Sequence, residues 1–183
     1  GINLTMIQMI RTMSALVNGG YLLEPQVVSE VIDQDGKVVT TFEKKVVGQI
    51  ISEETSSNIR TLLESAVKSG GGKKAYIEGI RVGGKSGTSQ KFTENGYEDE
   101  VVVVSFVGIA PIDDPQYVVL VVVDEPKDEF LGSLVAAPIV KNILEDILRY
   151  KNIVPNVTEE KEIIVPNLVG ITLEEAQTLL DGL

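Results

Sequence analysis

Between Lys85 and Ser89 the sequence places one ammonium group and three hydroxyls, from Ser86, Thr88 and Ser89, around a glycine. A cation beside hydroxyl donors is suited to holding an anion, because charge-assisted hydrogen bonds are the strong ones. Gly87 adds space, since a residue without Cβ lets a ligand come close to the backbone. Two absences restrict the chemistry further. The chain has neither His nor Cys. That excludes a Ser-His-Asp arrangement, a thiol nucleophile and a disulfide within it, and it removes the usual zinc ligands. Acid–base work inside the chain falls to Lys, Asp, Glu and Tyr.

These residues fit two incompatible patterns. Gly79-Ile80-Arg81-Val82-Gly83-Gly84-Lys85-Ser86 satisfies the phosphate-loop pattern G-x-x-x-x-G-K-[ST]. The apolar stretch Val118 to Val123, closing on Asp124-Glu125, would then serve as a magnesium-binding strand end. The surroundings oppose this nucleotide reading. A phosphate loop joins a buried strand to a helix whose N-terminus holds the phosphates. Ala75-Tyr76-Ile77-Glu78 is too short and polar for that strand, and Gly87, Thr88, Ser89, Asn95 and Gly96 do not sustain a helix. A hairpin between residues 101–110 and 117–124 would remove the reading altogether.

The second pattern, K-[ST]-G-T on an edge strand, depends on what positions it. Residues 4–18 read as a helix opened by a Thr5/Gln8 capping box. Met6, Met9, Ile10, Met13, Leu16 and Val17 form its core stripe, and Gly19-Gly20 stops it. Residues 26–48 look extended, with a hairpin signal at Asp33-Gln34-Asp35-Gly36. Ser52 caps a second helix that runs to about Lys68. Strands are expected at 80–90, 101–110 and 117–124, and a last helix at 134–150. The runs Val101–Val107 and Val118–Val123 are apolar almost throughout, as in strands covered on both faces. Only Pro111 to Gln116 separates them, which forces an antiparallel hairpin. Helices before and after such a sheet give an α+β layered fold.

Net charge is −11 at pH 7, which argues against nucleic acid as a partner, since phosphate binding needs clustered Lys and Arg. Hydrophobic residues make up 43% of the chain, enough to supply a core. No stretch reaches the length of a membrane span. Gly1-Ile2-Asn3 has neither Met nor a charged n-region, and reads as the start of a cut or processed piece. Asp124, Glu125, Asp128 and Glu129 read as a solvated acidic loop rather than a metal site.

The surroundings of Lys85-Ser86-Gly87-Thr88 resemble the penicillin-binding protein transpeptidases. Gly84 to Gln90 is similar to G-K-T-G-T-[AS]-[QE], with Ser86 where Thr is usual. Downstream, Ser105-Phe106-Val107-Gly108-Ile109-Ala110-Pro111, Val121 to Pro126 and Gly132 to Pro138 resemble family segments in family order. Upstream, Leu4 to Met9 and Leu16 to Gly20 resemble the helix preceding them. The likeness covers about residues 1–150. Residues 151–162 read as a linker. Val165 to Ala176 resembles the opening of a PASTA domain, so 163–183 is its N-terminal part. Together these suggest a class B, monofunctional enzyme of the division or sporulation type.

The resemblance implies a partial penicillin-binding/β-lactamase-like fold, an antiparallel sheet with helices on both faces, followed by an incomplete PASTA module. It implies a peptidoglycan D,D-transpeptidase acting through a serine acyl-enzyme, with no cofactor. Its substrates would be stem peptides ending in D-Ala-D-Ala, its inhibitors β-lactams, and its partners division or sporulation proteins. It implies a place on the outer face of the cytoplasmic membrane, anchored by an N-terminal helix outside this chain. Lys85, Ser86, Gly87 and Thr88 would be the catalytic strand, and Lys85, Ser86, Thr88 and Ser89 would bind substrate. The family's S-x-x-K nucleophile should lie upstream of Gly1. Ser65-Ala66-Val67-Lys68 and Ser56-Ser57-Asn58 match S-x-x-K and S-x-N, but in the wrong order and on a plain amphipathic helix. A non-catalytic wall- or partner-binding module is the competing reading for the chain by itself.

Overall fold

A computed structural model describes residues 3–153 together with Thr172 and Gln177. Helix α1 (Met6–Val17) opens on the expected capping box, with Thr5 accepting from the Gln8 backbone N–H and the Gln8 side chain accepting from that of Thr5. Strands β1 (Tyr21–Leu23), β2 (Glu30–Ile32), β3 (Val38–Thr41) and β4 (Val46–Gln49) follow. They form two separate antiparallel pairs, β1 with β4 and β2 with β3. Helix α2 (Glu53–Lys68) starts where Ser52 accepts from the Thr55 N–H. Glu53 and Glu54 lie at its positive end and Lys68 at its negative end. After a short 3₁₀ turn come β5 (Gly83–Thr93), β6 (Gly96–Ala110), β7 (Tyr117–Asp124) and α3 (Gly132–Tyr150).

The last three strands form one antiparallel sheet in the order β5-β6-β7. Its two faces explain the valine-rich sequence. Even-numbered residues of β6, Phe106 and Ala110 among them, pack against Ala136, Ala137, Val140, Leu144 and Leu148 of α3. Odd-numbered Val107 and Ile109 pack with Val17 of α1 and Leu63 of α2. Both faces of the central strand are therefore buried, and alternation with polar residues disappears from its inner half. Each buried aliphatic side chain contributes about 1.5–3 kcal/mol. Gly108 lets α3 settle onto the sheet, because a Cβ there would lie 2.4 Å from Val140 Cγ1.

Helices α1 and α2 are joined through polar contacts at a buried spot. The Ser56 hydroxyl donates to the Leu16 carbonyl at 2.8 Å and accepts from the Gly19 N–H at 3.0 Å. The Arg60 guanidinium donates to the Val17 carbonyl at 3.1 Å. Gly20 has φ +92°, and a Cβ there would meet the Ile51 carbonyl oxygen at 2.0 Å, so the helix stop tolerates only glycine.

The α+β architecture and the sheet covered on both faces agree with the sequence reading. One expectation does not hold. Met6 and Met9 are exposed, at 67% and 38%, whereas the helical spacing assigned them to the core. The α1 stripe runs on past the surface that α2 and the sheet offer, so only Met13, Leu16 and Val17 reach the core. Of the expected linker at 151–162, residues 154–162 lie outside the described residues, and so does the PASTA-like stretch at 163–183, save Thr172 and Gln177. No helix among the described residues is long and apolar enough to cross a membrane.

Candidate active site

Strand β5 carries Lys85, Ser86, Gly87, Thr88 and Ser89, and it is the edge strand of its sheet. Its inner side pairs with β6, Lys85 opposite Val107, Gly87 opposite Ser105 and Thr88 opposite Val104. Its outer side faces no described strand. This geometry removes the phosphate-loop reading. Lys85 and Ser86 lie in an extended strand rather than at a helix start, and residues 103–110 pair antiparallel with 117–124.

Because successive side chains alternate across a strand, the candidate residues divide. Ser86 and Thr88 share the face of Phe106 and Val104, towards α3. Lys85, Gly87 and Ser89 share the opposite face with Val107 and Ser105. They come together only along the open edge, so one ligand touching both Lys85 and Thr88 must lie along that edge. Lys85, Thr88 and Ser89 are exposed, while Ser86 and Gly87 are half-buried. Gly87 forms a gap between Lys85 and Ser89, and its floor is the Ser105 hydroxyl, 2.6 Å from where a Cβ would sit. The Lys85 ammonium donates to the Ser86 carbonyl at 2.6 Å.

Helix α3 supplies a part of the site that sequence reasoning did not assign. The Gly132 N–H, the first of α3, donates to Thr88 Oγ1 at 3.4 Å. A hydroxyl that accepts this bond keeps its own proton free to donate outward. The positive end of the α3 dipole thus adjoins Thr88 and adds to the charge of Lys85. Contact is so close that a Cβ on Gly132 would lie 2.2 Å from the Ser105 carbonyl oxygen and 2.6 Å from that of Gly87. The glycine within the Gly132-Ser133 pair was the available signal, but its reason is visible only in three dimensions.

The two decoy motifs fall away from this edge. Ser56 is fully buried and committed to backbone groups of α1 and its exit. Ser65 and Lys68 are exposed on α2. All four carboxylates of the acidic cluster are exposed, in agreement with the solvated reading. Asp124 and Glu125 are in addition bridged by Lys91 Nζ, at 3.0 Å to Asp124 Oδ1 and 2.5 Å to Glu125 Oε1. The hydrogen bonds that Lys91 donates to Glu125 and then to Asp124 hold its pKa above the ordinary value. At the other end of the sheet Arg81 grips Glu64 through two hydrogen bonds of 2.7 and 2.6 Å.

Residues 1–145 match the penicillin binding protein transpeptidase domain. The chain belongs to that family. Over its whole length it is 42% identical to stage V sporulation protein D of Bacillus subtilis, and it spans 30% of that relative. Among solved structures, the D,D-transpeptidase domain of a peptidoglycan glycosyltransferase from Eggerthella lenta superposes with a TM-score of 0.71. It shares 30% identity, over 84% of this chain and 34% of that one. Penicillin-binding protein 3 of Mycobacterium tuberculosis, solved with ampicillin, superposes with a TM-score of 0.77 at 26% identity, over 87% of this chain and 38% of that one. The transpeptidase likeness thus runs through the elements that build the β5 edge and α3.

Proposed function

We propose that this chain is the part of a peptidoglycan D,D-transpeptidase that holds the substrate's C-terminal carboxylate and half of the oxyanion site. The observation that carries the proposal is the β5 edge, which faces no described strand and where Lys85, Ser86 and Thr88 line the strand beside the start of α3. An extended stem peptide would add to this edge as a further strand. Its terminal carboxylate would take the Ser86 and Thr88 hydroxyls and the field of Lys85, with Ser89 at the far side of the Gly87 gap. The Thr88 backbone N–H would be one oxyanion donor, and the second would come from the nucleophilic serine itself.

In this reading the serine lies upstream of Gly1. Its oxygen bonds to the carbonyl carbon of the penultimate D-alanine and its proton leaves to a neighbouring base. The peptide C–N bond breaks, and the departing amine of the terminal D-alanine is protonated. An amine of a second stem peptide then attacks the ester, giving the cross-link and returning the serine. A β-lactam would acylate the same serine and stop there. Loss of one oxyanion donor typically costs about 10²–10³-fold in rate. We further infer that residues 163–183 open a PASTA domain and that the parent protein is class B, anchored outside the cytoplasmic membrane.

Full-length protein incubated with a penicillin and read by intact mass tests the function. One adduct on a serine upstream of Gly1, formed far more slowly in Lys85→Ala, is the expected result. No adduct on the wild-type protein overturns the proposal. An adduct on Ser65 would overturn the position of the nucleophile.

A further inference from the structure

The loop between β7 and α3 is attached to β5 at both ends. At its far end Gly132 donates to Thr88 Oγ1. At its near end Lys91, three residues beyond Thr88, holds Asp124 and Glu125. Lys91 can reach them because strand pairing lapses there. The ladder passes from Gln90 opposite Val102 to Phe92 opposite Tyr97, leaving Lys91 without a register partner. Such irregularities re-aim a side chain, and this one sends the ammonium across β6 to the end of β7. Glu125 is also held by its backbone, whose N–H donates to the Val102 carbonyl at 3.0 Å. Its φ of +49° is one that a residue with a side chain adopts only where its surroundings fix it.

We propose that Lys91 is a positioning residue for the site. By holding Asp124 and Glu125 it fixes where the 126–131 loop leaves the sheet, and so keeps the Gly132 N–H on Thr88 and the Thr88 hydroxyl aimed outward. This rests on the acyl-transfer reading for its effect on rate, but not for its effect on the loop. Lys91 itself touches no reacting atom. Its removal therefore lowers the acylation step and leaves non-covalent binding nearly unchanged.

The test compares full-length wild type with Lys91→Met, Lys91→Arg and the pair Asp124→Asn/Glu125→Gln. Two readouts are taken, amide hydrogen exchange over residues 126–132 and the kinetics of penicillin acylation resolved into affinity and rate constant. Lys91→Met and the double carboxylate variant should both speed exchange several-fold. They should slow acylation about two- to fivefold, the scale of a partly exposed ion pair. Lys91→Arg should restore both. Unchanged exchange in Lys91→Met overturns the proposal. So does a loss confined to affinity, or a failure of Lys91→Arg to rescue. A wild type that is never acylated would instead sink the transpeptidase function, and the exchange data would still decide whether Lys91 holds the loop.

Discussion

The β6–β7 pair and the β2–β3 pair are both antiparallel and valine-rich, yet they have opposite fates. Val102, Val104, Phe106 and Ile109 are almost wholly buried. In the β2–β3 pair every strand residue is exposed, including Val31, Ile32, Val38 and Val39. Strand propensity alone accounts for both pairs. What separates them is cover. Helices α1 and α3 close on the first, with Leu63 of α2 joining its core, and no described helix or further strand packs on the second. The candidate site lies where the first arrangement gives out, on the edge strand whose inner side is locked to β6 and whose outer side faces no described strand.

Leucine truncation gives the largest test of that contrast. Leu144→Ala, at a fully buried position under the sheet, should destabilise the domain by about 2–5 kcal/mol. Val39→Ala, 62% exposed on β3, should stay within about 0.5 kcal/mol. Thermal unfolding of the full-length variants checks both. Equal losses would mean that the β2–β3 pair is packed against something in the whole protein.

Gly132→Ala probes the boundary between core and site. The added carbon must displace the Ser105 or Gly87 carbonyl, so a stability loss of about 1–3 kcal/mol is expected from overpacking, with acylation slowed beyond what the unfolded fraction explains. A stable variant with wild-type acylation would show that α3 does not shape the β5 edge. Ser56→Ala sits on the side of α1 and α2, away from the edge. Leaving the Leu16 carbonyl and Gly19 N–H without their partner should cost about 1–3 kcal/mol. Acylation per folded molecule should not change, which separates a structural serine from a catalytic one.

The same contrast decides what the sequence could reveal. The hairpin of the sheet was legible, because continuous apolar runs and a six-residue connection leave few arrangements, whereas the edge position of Lys85 to Ser89 came from the family resemblance. The outer parts of β5 and β6 were not legible. Between Lys91 and Glu100 the chain is polar, and its strand pairing rests on backbone bonds and the Phe92–Tyr97 edge contact rather than on burial. The β1–β4 pairing was hidden for a related reason, since three- and four-residue strands with a register shift carry no period to read. Lys91's grip on Asp124 and Glu125 joins residues 33 and 34 positions apart, and no local pattern signals it. Met6 and Met9 misled because helical spacing reports a stripe, not whether a partner covers it.

The smallest effect expected concerns the end of the sheet opposite Lys91. Glu64 accepts two hydrogen bonds from Arg81, and these, ahead of any other influence, hold its pKa below the ordinary glutamate value. A carboxyl whose pKa is lower folded than unfolded stabilises the fold above its unfolded pKa and loses that contribution as pH falls through the folded one. The contribution is thus whole at neutral pH and fades only in the acid range below the usual glutamate titration. Arg81 is partly exposed, so solvent screening limits it to no more than about 1 kcal/mol. Glu64→Gln should lower stability at neutral pH by that much and match wild type once the pH is below both pKa values. A difference between the two that persists undiminished in acid would mean that Glu64 acts through packing against α2's neighbours rather than through its charge.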